Sequence, residues 1–142
     1  MTTRVERVTS VPVPPKRVWE FIADPEKRAR SISVVVDFHS NDSDDRRAIW
    51  ELKLPIPLVN RTVTVETEEI QRDPPKYVKF IGRSKIMRVI GEHKLEPTGE
   101  GTQVTNRFTV KGRIPGVEQY FNRNLENELD NFEDALLRDL GL

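Results

Sequence analysis

Residues 117–140 form the longest periodic stretch of the chain and constrain its fold more than any other feature. Val117, Phe121, Leu125, Leu129, Phe132, Leu136 and Leu140 recur at spacings of three and four. That pattern lays one apolar stripe along about six helical turns, and Gly141 follows as a helix-ending residue. Such a helix needs a broad apolar surface to cover its stripe. The preceding sequence offers one. Stretches 33–39, 46–54, 61–70, 76–83, 86–96 and 102–111 are rich in β-branched and aromatic residues, and each ends at a turn-forming cluster such as Asn41-Asp42-Ser43-Asp44-Asp45, Asp73-Pro74-Pro75 or Pro97-Thr98-Gly99. Connections this short favour antiparallel neighbours. Stretch 4–13 reads as a seventh strand, closed by Pro14-Pro15. Two short helices follow, one over 16–23 with Val18, Trp19 and Ile22 at helical spacing, and one opened by Asp24-Pro25 as cap and first residue. The expectation is an α+β fold: strand, two short helices, six strands, long helix.

Composition narrows the function classes. A chain of 142 residues matches one domain with one core, taken here as 1–142. Lys and Arg total 23, as do Asp and Glu, which argues against a DNA-binding protein of high net charge. The absence of cysteine excludes disulfides, thiol nucleophiles and thiolate metal sites. His39 and His93 are the only histidines, too few and too far apart for a metal pair on a helix. The acidic 41–45 loop lacks the glycine and terminal glutamate of a calcium loop. Phosphate-cradling glycine motifs and a nucleophile elbow are missing as well. No metal and no cofactor are expected. The longest aliphatic run is Val34-Val35-Val36, far short of the ~20 residues of a membrane span. With no signal peptide before the fold, the expected location is the cytoplasm.

Strand alternation assigns an inner face. Ala48, Trp50, Leu52 and Leu54 share it in one strand, Val63, Val65 and Thr67 in the next. Met87, Val89, Gly91, His93 and Leu95 share it in a third, and Val104, Asn106, Phe108 and Val110 in the last. His93 and Asn106 stand out as inward polar groups. The helix adds Glu128, which falls inside the apolar stripe. A carboxylate there needs a partner, water or a cavity wall. It either faces a ligand or works with His93 in acid/base chemistry, or it reaches the sheet edge and meets an arginine. His93 is either a general base or a satisfied core histidine. Trp50, Phe108, Tyr120, Phe121 and Phe132 are expected to converge between sheet and helix, as core or as pocket wall. Charge is uneven: residues 72–113 hold ten basic and four acidic side chains, residues 118–142 two and seven. The later strands therefore offer either a solvated face of mixed cross-strand pairs or a basic surface for an anionic partner.

The chain also resembles the START-related SRPBCC superfamily, which has the helix-grip fold. The resemblance is carried by Val11-Pro12-Val13-Pro14-Pro15-Lys16-Arg17-Val18-Trp19 with Phe21-Ile22-Ala23-Asp24-Pro25-Glu26, and by Gly91-Glu92-His93-Lys94-Leu95-Glu96-Pro97 followed by Gly101-Thr102-Gln103-Val104-Thr105. It covers the whole chain in the right element order and is strongest with the polyketide cyclase/dehydrase-like and carbon-monoxide-dehydrogenase-G-like groups. Arg30-Ser31-Ile32 departs from the pattern, since relatives commonly place an aromatic there. The resemblance implies a curved seven-stranded antiparallel sheet gripping the long helix, with a cavity between them for a hydrophobic or amphipathic molecule such as a lipid, quinone or polyketide-like compound. The expected lining is Trp50, Leu52, Val65, His93, Asn106, Phe108, Val117, Tyr120, Phe121, Leu125, Glu128 and Phe132. Non-enzymatic binding is the favoured reading. Its rivals are a cyclase or dehydratase using His93 and Glu128, and an interaction module using the basic strands. A monomer and a homodimer both fit the sequence.

Overall fold

A computed structural model describes residues 2–57 and 59–142. Strand β1 (Thr2–Val11) is followed by helices α1 (Pro15–Ile22) and α2 (Pro25–Arg30). Strands β2 (Val35–Ser40), β3 (Arg47–Leu52), β4 (Val63–Asp73), β5 (Tyr77–Arg83), β6 (Met87–Pro97) and β7 (Thr102–Gly112) come next. Helix α3 (Val117–Asp139) closes the described chain. The strands form one antiparallel sheet in the order β1-β7-β6-β5-β4-β3-β2. The helix-grip expectation holds among the described residues: seven strands, two short helices after the first, and one long helix against the inner face.

The local causes are visible. Asp24 accepts from the backbone N–H groups of Glu26 and Lys27 at 2.9 and 3.2 Å, capping α2, while Pro25 occupies its first turn. Helix α3 starts where Gly116 takes a positive φ of 96°, beside Ile56 of the β3–β4 connection. Val117, Phe121, Leu125, Leu129, Phe132 and Leu136 are buried along it, as the stripe requires. The inner face is as parity assigned it: Trp50, Val65, Val89, His93, Asn106 and Phe108 are all buried.

The first strand ends earlier than expected, at Val11 rather than residue 13. Pro12 has no N–H to continue the ladder, and the Val13 carbonyl is taken by the Thr102 hydroxyl at 2.7 Å. The fourth strand runs later, to Asp73, through a register shift between Glu69 and Gln71.

Candidate functional site

The inner face of the sheet and α3 flank a small cavity of about 30 Å³. Its wall combines Trp50 and Leu52 from β3, Met87 and Val89 from β6, and Phe108 and Val110 from β7. Phe121, Leu125 and Glu128 come from α3, and Ile32 and Val34 from the segment that joins α2 to β2. Among the described residues, every one that lines it except Glu128 is hydrophobic. Larger hollows are open surface dents, such as one of about 420 Å³ on the outer face lined by His39, Arg47, Glu66 and Arg83.

Six of the twelve residues expected from the sequence line this cavity: Trp50, Leu52, Phe108, Phe121, Leu125 and Glu128. Val65, Val117 and Phe132 are buried in the surrounding core, and Tyr120 packs edge-on to Phe121 with ring centroids 5.0 Å apart. His93 and Asn106 face each other across β6 and β7 outside the cavity lining, with the His93 ring edge-on to Phe108 at 5.8 Å.

Glu128 is 3% exposed and bonds to Ser33, which precedes β2, and to Asn131 on its own helix. Its Oε1 accepts from the Ser33 N–H (3.1 Å), the Ser33 hydroxyl (2.8 Å) and the Asn131 amide (2.7 Å), while Oε2 shares the Ser33 N–H at 3.1 Å. Ser33 lies between two wall residues, Ile32 and Val34, so the carboxylate holds the α2–β2 segment onto α3. Of the sequence readings of Glu128, a place on the cavity wall is the one this geometry accommodates. Among the described residues it meets no arginine at the sheet edge, and no hydrogen bond joins it to His93. The reason is depth: helical periodicity gives a side chain's direction but not the loop that crosses over it.

His93 is fully buried. Its ring stacks on Phe132 at 4.9 Å and 11°, and lies near-parallel to Phe80 at 6.2 Å. Nδ1 pairs with Asn106 Oδ1 at 2.8 Å. The oxygen partner makes Nδ1 the donor, which leaves Nε2 as a bare acceptor with no partner among the described residues. Burial drives the imidazole pKa down to about 3 and outweighs the Asn106 bond, while the positive charge of Arg28 lowers it further. The ring is therefore neutral at physiological pH.

Sequence reasoning missed Arg28 and Glu69. Arg28 is 3% exposed. It donates from Nη1 to the Ile22 carbonyl at 2.7 Å and from Nη2 to Glu69 at 3.5 Å, and its guanidinium lies 5.4 Å from the Phe80 ring centre. Burial pulls its pKa down to about 10, against the attraction of Glu69, so it stays charged. Arg72 also pairs with Glu69, donates to the Ala23 carbonyl at 3.0 Å and lies over Trp19. These contacts fasten the α1–α2 corner to β4. Parity could have flagged Glu69, which continues the Val63, Val65, Thr67 face; no local pattern marks Arg28.

The outer face resolves the charge imbalance. Lys79, Glu92, Arg107 and Glu6 are successive cross-strand neighbours of alternating sign. Arg107 reaches Glu6 at 3.0 Å and Glu92 at 3.5 Å, and the Tyr77 hydroxyl donates to Glu92 at 3.1 Å. Arg83, Arg88 and Lys111 are aligned across β5, β6 and β7 as three successive basic residues, with Glu66 of β4 opposite Arg83. Among the described residues, no three histidine or carboxylate groups converge in a way that could hold a metal ion. None of the described helices is long and apolar enough to cross a membrane.

An antiparallel sheet gripping one long helix around an apolar cavity defines a helix-grip protein. The chain belongs to the polyketide cyclase / dehydrase and lipid transport family, whose profile matches residues 2–136. Among solved structures it is similar to the DR_A0006 protein of Deinococcus radiodurans, with 20% identity, TM-score 0.67 and 99% coverage of both chains. It is also similar to the ZhuI aromatase/cyclase of Streptomyces sp. R1128, with 17% identity, TM-score 0.67 and coverage of 97% of this chain and 96% of that one. A third similar structure is Ara h 8.0201, with 14% identity, TM-score 0.68 and full coverage of both. No curated protein matches the chain at a significant level.

Proposed function

We propose that the protein binds a hydrophobic or amphipathic small molecule, of the lipid, quinone or polyketide-like kind, between the sheet and α3 without converting it chemically. The observation that carries this reading is a cavity at the sheet–helix interface walled by hydrophobic side chains and a single carboxylate. The family description, with its mention of both cyclases and lipid transport, supports the ligand class. At about 30 Å³ the cavity holds no more than a water or two, whereas ligand sites run to roughly 300–1,000 Å³. Binding therefore moves a wall. The segment between α2 and β2 is the wall outside regular structure, and its Ser33 is solvent-exposed.

A cyclase or dehydratase reading draws less support. His93 is neutral, stacked between rings and bonded to Asn106, while Glu128 is bonded to Ser33; the two do not form a proton-transfer pair. The test is titration with an environment-sensitive apolar dye. Wild-type protein should give saturable one-to-one binding, and Leu125→Trp, which fills the cavity, should abolish it while the far-ultraviolet dichroism is unchanged. Equal dye binding by both proteins would place the site elsewhere.

A further inference from the structure

Resting on the reading of this cavity as a ligand site, we propose that Glu128 selects the polar end of the ligand: a neutral or cationic hydrogen-bond donor, such as a hydroxyl, phenol or amine, and not a carboxylate. Three observations converge on this. Glu128 supplies the one charged side chain of the cavity wall, and no lysine or arginine among the described residues lines it. An anionic head would enter a low-dielectric space with a carboxylate and no counter-cation, which disfavours it steeply. The oxygens of Glu128 are also unequally used. Oε1 accepts from Ser33 N–H, the Ser33 hydroxyl and the Asn131 amide, whereas Oε2 has only a share of the Ser33 N–H. An ionised carboxylate offers about four acceptor positions over its two oxygens, and three donors among the described residues reach Glu128, so acceptor capacity is left on the Oε2 side of a side chain that is 3% exposed.

The same contacts couple selection to entry. Ser33 separates the wall residues Ile32 and Val34, so a donor arriving at Glu128 competes with the bonds that keep this segment closed. Tyr120 feels the same charge: burial and the Glu128 carboxylate both raise its phenol pKa, so it remains a protonated neighbour and adds no negative charge of its own.

Three probes with one tail and different heads test the proposal: 1-dodecanol, dodecylamine and dodecanoate, at pH 7.5 and below their aggregation limits, by displacement of the apolar dye. Dodecanol and dodecylamine should bind at least about tenfold more tightly than dodecanoate. Glu128→Gln should bring the three within about threefold, chiefly by admitting dodecanoate. Ser33→Ala retains the carboxylate, so it should keep the order while speeding dye entry. Dodecanoate binding the wild type as tightly as dodecanol would overturn the selection, as would an order that survives Glu128→Gln. Binding of none of the three would instead overturn the cavity reading on which it rests.

Discussion

His93 shows how burial decides what a titratable residue does. Its ring is stacked on Phe132 and its pKa is depressed to about 3 from an unfolded value near 6.5. The unfolded chain therefore takes up a proton between those values and the folded chain does not. This contribution to stability is complete above pH 6.5 and is lost as pH falls toward 3, at up to about 1.4 kcal/mol per pH unit. Urea denaturation at pH 7.0 and pH 5.0 should show a fall in midpoint for the wild type. That fall should be smaller for His93→Phe, which keeps the stack and cannot titrate; an equal fall in both would remove His93 from the acid response. Gly91 sets a second limit. A Cβ there would lie 2.2 Å from Phe80 Cε1, and Phe80 is held between Trp50 and the Arg28 guanidinium. Gly91→Ala should cost about 2 kcal/mol or more by displacing that ring. Parity in the sequence placed His93 and Asn106 inside, because period-2 alternation fixes the face of every strand residue. It could not pair Glu128 with Ser33 or Arg28 with Glu69. Those partners are 95 and 41 residues apart, and nothing in either local segment encodes the other.

At the scale of elements, α3 does two jobs along one stripe. Phe132 is fully buried against Phe21, His93 and Phe108, whereas Phe121 borders the cavity. Phe132→Ala should cost about 3–5 kcal/mol, and Phe121→Ala should cost clearly less because its space joins an existing void whose wall can move. Equal losses would mean that the cavity end is packed as tightly as the rest. Arg28 fastens helix α2 to the sheet, and Ser33 fastens the segment that follows it to α3. Ser33→Ala should raise amide hydrogen exchange at Val34 and Val35 several-fold while leaving β6 protected. Element order was legible because proline pairs, polar turns and the helical stripe are local signals. The ends of β1 and β4 were not, since a missing proline N–H, a Thr102 hydroxyl and a bulge decide them. The stretch Arg30-Ser31-Ile32, where the resemblance implies an aromatic, runs directly into the Ser33 that Glu128 holds.

Across the whole molecule, charge and cavity are separate features. The net zero charge hides an alternating ladder across β5, β6, β7 and β1, and a short basic row at Arg83, Arg88 and Lys111. Reversing Arg88 and Lys111 together should leave apolar-ligand affinity within about twofold, because neither lines the cavity. A larger loss at low ionic strength would tie the basic row to the ligand.

The central claim is that the space between sheet and α3 opens to hold an apolar molecule, and native mass spectrometry of freshly purified protein, with organic extraction of whatever is released, tests it most directly. The account predicts a stoichiometric non-covalent adduct of a neutral or amine-bearing apolar compound, absent from Leu125→Trp. A bare polypeptide mass, with no thermal stabilisation by 1-dodecanol or dodecylamine, would contradict it.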